Sequence, residues 1–444
     1  MPHDCLMSKR PTSAALRRTR ARPHDRLLYN VGFRCLTGIK RDIVRILIIS
    51  QFYRPEPCAA SNRVAALAER FALEGHRVTV LTGFPSFPSG VIGDYYRGRP
   101  YLVEADGPIR VMRVWTYASP RQGSRSRLLN WLSVACGATL AVCDPRRHYD
   151  LIVVSSPPIT LALPALVARI VHRAPLVSDI RDVFPDIAVA MGEWKRDGAL
   201  ARCVGLVADL LYRASRLVVS VTQSARREII ARGVSPEKVL FAPNGFDAVT
   251  LEPESSYRRD PNEIVVTYVG NMGLATGLDV VVDAASRLLD DRRFTFLFIG
   301  GGADAERIRD RIQREGLRNV KMLGVLPRAQ AMTTLRDSHM CVVPLREKIK
   351  DSLPTKLFDA LSVGCPVVVS ADGEARRVVE ESGSGIAVPP GDAAALAEAI
   401  RTLGNDAELR RAYGTRGRAY VFEHYDRAKV MAELSLRLTG IAYT

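Results

Sequence analysis

Two doubly wound α/β domains of similar size follow from three features of this 444-residue sequence. From residue 44, short β-branched runs alternate with amphipathic helical stretches. The alternation stops at residues 242–263, which are polar, contain proline and lack periodicity. It then restarts and continues towards the C-terminus. Apolar strands alternating with helices imply parallel sheet covered on both faces. The break reads as a linker between two such domains, set face to face across a cleft.

In chain order, the first domain (42–247) opens with VRILIIS, a strand apolar almost throughout. The stretch NRVAALAERFALEG follows as an amphipathic helix and RVTVLTG as the next strand; LIVVSS, APLVSD and RLVVSVT repeat the unit. The linker occupies 248–262. In the second domain (263–420) the strands are IVVTYVG, FTFLFIG, VKMLG, MCVVPL, CPVVVS and GIAVPP. Residues 421–444 form a last helix, free to pack back on the first domain.

Composition narrows the function classes. An apolar fraction of 47% with 25% charged residues belongs to a soluble globular chain. Eight cysteines are scattered without a C-x-x-C pair, which fits a reducing compartment and gives neither a disulfide framework nor a zinc site. No apolar run reaches the roughly 20 residues of a spanning helix. Of the net charge of +16, half comes from residues 1–41, where 10 Lys/Arg stand against 2 Asp. That leader reads as a basic, disordered extension outside the fold, with a transit-like peptide or an upstream start codon as the other readings. The remaining charge favours anionic partners such as nucleotide phosphates or acidic lipid. No basic stripe carries interleaved aromatics, so nucleic acid is not the expected partner.

Open parallel sheets bind ligands beyond the carboxyl ends of their strands. The stretch KDSLPTKLFDALSVGCPVVVS (350–370) lies at such an edge. Ser352 and Pro354 suit the start of a helix and Gly364 its end. At about 100° per residue, Lys356, Asp359 and Ser362 share one face, while Leu357, Phe358 and Leu361 anchor the other. As a solvated i,i+3 pair, Lys356 and Asp359 would contribute only a few tenths of a kcal/mol. As part of an anion site at a helix N-terminus, the lysine would hold a diphosphate and the acid would accept ribose hydroxyls. The residues alone leave both readings open. Neighbouring edge loops carry Asn271 and Gly273 in VGNMGLATG, the glycines of IGGGAD, and Gly373 with Glu374.

The first domain should face an acceptor. Asp182, beside Arg181 after a buried strand, is the candidate for acceptor deprotonation or orientation, with a helix cap or a structural Arg/Asp pair as the alternative. Glu56 is a weaker acceptor-site candidate, since loop acids are commonly just solvated. His76 is placed as structural. Residues 121–147 hold an apolar stretch with Trp131, flanked by Arg121, Arg125, Arg127, Arg146 and Arg147. They read as a helix at an anionic membrane interface, as an internal helix with basic caps, or as both.

Several of these motifs together resemble a GT-B-fold glycosyltransferase of family 4, from about residue 44 onward. ISQFYRPEPCAASNR, SSPPITLALPAL, SDIRDVFPD, APNGFD, VGNMG, NVKMLGVLP, PTKLFDALSVGCPVVVS and GIAVPPGD run in the family's order. RDVFP and PTKLFDAL look most like the amino-sugar transferases of bacterial capsule, O-antigen or colanic-acid assembly, the L-fucosamine-type branch. The resemblance implies that Asp351 and Asp359 stand for the family's two glutamates eight apart, Asp359 on the ribose and Asp351 near the donor sugar. Lys356 would neutralise the diphosphate and stabilise the leaving nucleotide. The backbone from Leu323 to Val325 would hold the base, uracil by fit, with Leu357, Gly373 and Glu374 as further donor contacts. Asn271 and Thr276 stand where many relatives carry an Arg/Lys pair. That leaves Lys356 as the main cation, with Arg346 or Lys348 as helpers. The implied chemistry is metal-independent and retaining, with no cofactor beyond a UDP-linked sugar. An N-acetylated amino sugar would pass to a polyprenyl-diphosphate-linked acceptor at the inner face of the plasma membrane. A nucleotide-sugar epimerase of the same fold and a non-catalytic sugar-nucleotide-binding partner are the alternatives.

Overall fold

In the computed structural model, residues 43–121, 123–190, 192–273, 276–347 and 352–443 are described. The basic extension, Asp351 and Lys348 lie outside the described residues. The first sheet comprises β1 (Arg45–Ile49), β2 (Arg77–Gly83), β3 (Tyr101–Asp106), β4 (Ile109–Val114), β5 (Leu151–Ser156), β6 (Leu176–Ile180), β7 (Leu217–Ser220) and β8 (Val239–Phe241). Their order is β3-β4-β2-β1-β5-β6-β7-β8. Every pairing is parallel except that of β3 with β4, a hairpin that adds an edge absent from the sequence reading.

The second sheet comprises β9 (Ile264–Val269), β10 (Phe294–Ile299), β11 (Val320–Gly324), β12 (Met340–Pro344), β13 (Val367–Ser370) and β14 (Gly385–Val388), in the order β11-β10-β9-β12-β13-β14. It is parallel throughout. Strand order reverses between β1 and β5 in the first sheet and between β9 and β12 in the second. A crevice opens at such a reversal, because the flanking connections run to opposite faces.

Each sheet is covered on both faces, and each core residue of this size stabilises by about 1.5–3 kcal/mol on burial. One face of the first sheet packs Val64 and Phe71 from helix Ala59–Leu73. The same layer takes Met431, Leu434 and Leu438 from the C-terminal helix Arg427–Ala442. Helices Ser124–Val142, Ala162–His172 and Ala199–Ala214 cover the opposite face through Val134, Ala165 and Leu211. In the second domain, Val281 and Ile400 pack on one face and Leu357, Phe358 and Val379 on the other.

The chain crosses between domains twice, and the crossings bond to each other. Phe246 N–H donates to Tyr425 O (2.9 Å) and Arg427 N–H donates to Phe246 O (3.1 Å). The Arg427 guanidinium donates to Asn244 O (2.9 Å) and Gly245 O (3.1 Å) and pairs with Asp247. Gly245 has φ +65°, and a Cβ there would lie 2.7 Å from Tyr425 O, so the crossing admits glycine alone. Beyond it, Val249 and Leu251 pack on the second core and Glu252 N–H donates to Thr333 Oγ1 (2.8 Å).

Candidate active site

Lys356 lies in the first turn of helix Thr355–Ser362, at the strand-order reversal of the second sheet. Its Nζ donates to Tyr268 Oη at 2.6 Å, and Tyr268 Oη donates to Asn271 O at 2.6 Å. The ammonium also lies 4.1 Å from the Tyr268 ring centroid, a cation–π contact. Among the described residues no carboxylate pairs with it. Burial without a counter-charge pulls its pKa down to about 8. A half-buried cation in that state gains more from an arriving anion than a solvated one does.

Glycine shapes the floor of the site. Gly270 has φ +122°, and a Cβ there would press within 3.3 Å of Lys356 Cε. Gly302 has φ +145°, and a Cβ there would lie 2.4 Å from Asn271 Oδ1. The loops after β9 and β10 interlock by backbone bonds, Met272 N–H to Gly301 O (2.8 Å) and Asp304 N–H to Met272 O (2.9 Å). Thr276 Oγ1 donates to Gly273 O (2.7 Å), closing the described part of the same loop. Leu323 and Val325 stand at the end of β11, and Val325 is 79% exposed, an apolar rim beside Gly301. Arg346 is exposed and packs over Gly277.

Asp359 does not stand free on the helix face. Arg328 Nη2 donates to its Oδ1 at 2.9 Å. Burial pushes the Asp359 carboxyl upward, and the Arg328 charge pulls it back. Sequence reasoning missed Arg328, which lies on a different helix 31 residues away. The Leu357 side chain is fully buried and its N–H donates to Pro354 O (3.0 Å) within the first helical turn.

Glu374 bonds to the other domain. Gly373 (φ +69°) sets the start of helix Glu374–Ser382. The Glu374 carboxylate is buried and reaches into the first domain, where it accepts Gln223 N–H (2.9 Å) and Ser224 N–H (3.0 Å). Those are orphan donors of the first turn of helix Gln223–Ala231, so Glu374 caps a helix of the first domain.

In the first domain the arginines and acids are mostly committed to each other. Arg63 and Asp179, both buried, form a bidentate pair at 2.8–3.1 Å, and Arg63 also donates to Pro243 O (2.9 Å). Arg181 turns its guanidinium to Ser155 Oγ (3.2 Å) and Pro157 O (2.7 Å), away from the role of an acceptor contact. Glu56 is buried rather than solvated, its Oε1 accepting Ser86 N–H and Phe87 N–H at 3.0 Å each, which braces the loop after β2. His76 accepts Val44 N–H (3.3 Å), a structural position. Asp182 differs from all of these. It is exposed, yet the protein crowding around it holds its carboxyl above the usual range against the pull of Arg181.

Within 121–147, helix Ser124–Val142 buries Val134, Ala135, Ala138 and Val142 while Leu128, Leu129, Leu132 and Leu140 are exposed. Trp131 packs against the core beside Phe184, and Arg127 pairs with Glu193 at 2.6 Å. Among the described residues no helix is long and apolar enough to cross a membrane. Nor is any group of three His, Cys, Asp or Glu among them placed to hold a metal ion.

Comparison with known proteins bears on this geometry. Residues 59–245 match the glycosyl transferase 4-like domain, and residues 252–420 match glycosyl transferases group 1. The chain is 27% identical over 421 residues to WcaI of Escherichia coli, named for a colanic acid biosynthesis glycosyl transferase. That match covers 89% of this chain and 100% of WcaI. It is 26% identical over 236 residues to WbjE of Pseudomonas aeruginosa, named as a glycosyltransferase, covering 50% and 58% of the two chains. Among solved structures, Anabaena HepE in complex with UDP superposes with a TM-score of 0.63 at 19% identity, over 89% of this chain and 100% of that one. Sucrose-phosphate synthase from Thermosynechococcus elongatus gives a TM-score of 0.69 at 19% identity, over 90% and 100%.

Proposed function

This chain is a glycosyltransferase of GT-B fold, built from a 4-like and a group 1 domain, and we propose that it transfers a sugar from a nucleoside-diphosphate donor to a lipid-linked saccharide in bacterial surface-polysaccharide synthesis. The observation that carries the donor half is Lys356, a half-buried ammonium without a described carboxylate partner, set over a glycine floor. A diphosphate there would replace Tyr268 as its partner. As the bond from the anomeric carbon to the diphosphate breaks, the lysine would offset the charge growing on the leaving oxygen. Asp359, released from Arg328, accepts the ribose hydroxyls. The strand end at Leu323–Val325 receives the base, with uracil the expected one, and the resemblance assigns Asp351 to the donor sugar.

On the acceptor side, the hydroxyl oxygen forms the new bond to the anomeric carbon and its proton passes to Asp182, whose raised pKa suits a base. We assign retention of anomeric configuration and an N-acetylated amino sugar on the resemblance to the L-fucosamine-type branch. The acceptor is a polyprenyl-diphosphate-linked saccharide, met peripherally at the inner membrane face. The exposed leucines of helix Ser124–Val142 support that contact.

The test is a panel of nucleotide sugars incubated with the membrane lipid fraction, followed by nucleotide release and by label in lipid. Sugar transfer from one UDP-linked donor is the expected result. Isomerised donor would point to an epimerase, and failure of every donor to bind would sink the reading.

A further inference from the structure

A concavity of the first domain lies at the amino edge of its sheet, the opposite edge from the transfer cleft. Its volume is about 890 Å³, and it is lined by five cations, Arg169, Arg173, Arg213, Arg216 and Lys238, with no acidic side chain in its wall among the described residues. Ile441 and Ala442, at the end of the C-terminal helix, close one side.

Three of these cations sit where helices end, and a cation there complements the helix dipole. Arg169 and Arg173 close helix Ala162–His172, and Arg213 closes Ala199–Ala214. Lys238 ends the short 3-10 turn Pro236–Lys238 before β8, while Arg216 lies in the connection between helix Ala199–Ala214 and β7. Both line the same space as the other three. Arg173 also holds a left-handed backbone (φ 51°), a conformation that glycine adopts without penalty.

Among the described residues none of the five has an ion-pair partner. Elsewhere the chain pairs its arginines densely: Arg311 alone reaches Asp279, Asp283 and Glu315. Lys238 is half-buried and donates only to a carbonyl, Arg213 O at 3.0 Å. Burial and the repulsion of Arg169 and Arg216 hold its ammonium below the ordinary lysine range. The wall is apolar on one side, where Ile170 is 72% exposed and lines the pocket itself. On the adjoining helices Leu163, Leu206 and Leu210 are exposed as well.

We propose that this pocket is a second anion site, which binds a phosphate or diphosphate group away from the reaction centre. Four guanidinium forks and one ammonium supply charge-assisted, geometrically matched donors for such a group. Two carriers present that chemistry, an anionic lipid headgroup and a soluble phosphate. The exposed Ile170 rim gives the first a place for its glycerol and acyl portion.

The test uses the full chain and two probes. One is inorganic pyrophosphate, titrated by calorimetry with UDP present to fill the cleft. The other is co-sedimentation with phosphatidylcholine vesicles containing one-third phosphatidylglycerol. Arg169→Ser with Arg216→Ser should weaken binding of at least one probe tenfold or more. Arg169→Lys with Arg216→Lys should recover most of it, and sugar transfer to a soluble acceptor should stay unchanged. Arg292→Ser with Arg318→Ser, two exposed arginines of the second domain, removes the same charge and should have less than a twofold effect. Selective loss on vesicles alone assigns the headgroup, and loss on pyrophosphate assigns the soluble carrier. Equal losses in the two double-serine variants, or no binding of either probe by the wild type, overturn the proposal.

Discussion

The carboxyl edge of the second sheet is shaped by backbone, and that of the first by side chains. After β9 and β10, glycines at φ +122° and +145° let two loops interlock, and the cation above them has no described counter-charge. After β1, β5 and β6, charged groups are consumed internally: Arg63 by Asp179, Arg181 by Ser155 and Pro157, Glu56 by two amides. Only Asp182 among those candidates is left open. The difference teaches that the second edge is prepared for an anion before any arrives, whereas the first is a rigid wall carrying one adjustable acid. Preorganised charge stabilises a transition state without reorganising when charge develops.

The largest effect on this contrast should come from Lys356→Ala. Turnover is expected to fall by roughly several hundredfold, the scale of removing one preorganised electrostatic group, with thermal stability little changed. Wild-type turnover in that variant would remove the phosphate role. The clamp between the edges is the next target. Glu374→Ala leaves two helix-terminal N–H groups without their acceptor and should cost about 1–3 kcal/mol in denaturant unfolding. Loss below a few tenths of a kcal/mol would mean that the cap is replaced by water.

A pH profile sharpens the comparison further. Lys356 is charged below its pKa of about 8, so donor kcat/KM should hold at neutral pH and decline as pH rises through about 8. Lys356→Arg should move that alkaline limb upward, and an unshifted limb would assign it to another group. The smallest effect is expected from Arg328→Ala. An exposed pair of this kind contributes about 0.2–1 kcal/mol, so freeing Asp359 should lower the donor KM by at most about fivefold. A rise in KM would instead make Arg328 a donor ligand.

How much of this was legible from the residues divides along the same line. The central strands β9, β10, β12 and β13 of the second sheet are apolar runs buried along almost their whole length, and each stands out in the sequence. The β3–β4 hairpin does not, because β3 alternates half-buried and exposed positions and β4 buries Arg113 against Glu104. The position of Lys356 could be argued from a strand, a helix start and a polar face. Its lack of a described counter-charge could not, since that is a fact about space. Glu374 and its amide partners are about 150 residues apart, and the five cations of the basic pocket are spread from 169 to 238. No local pattern links residues that only the tertiary fold brings together.

The doubled crossing at Phe246 and Arg427 bears on how this protein can be divided. A fragment ending at residue 247 would contain all eight strands of the first sheet but not Met431, Leu434 and Leu438, which complete one of its covering layers. It would present to water the apolar surface that those three side chains cover and should associate with itself or precipitate. A workable first-domain fragment must graft the C-terminal helix back on, through a short loop bridging the two crossings. The natural cut through this molecule therefore passes through two places in the chain, and proteolysis at either one alone should leave the halves joined.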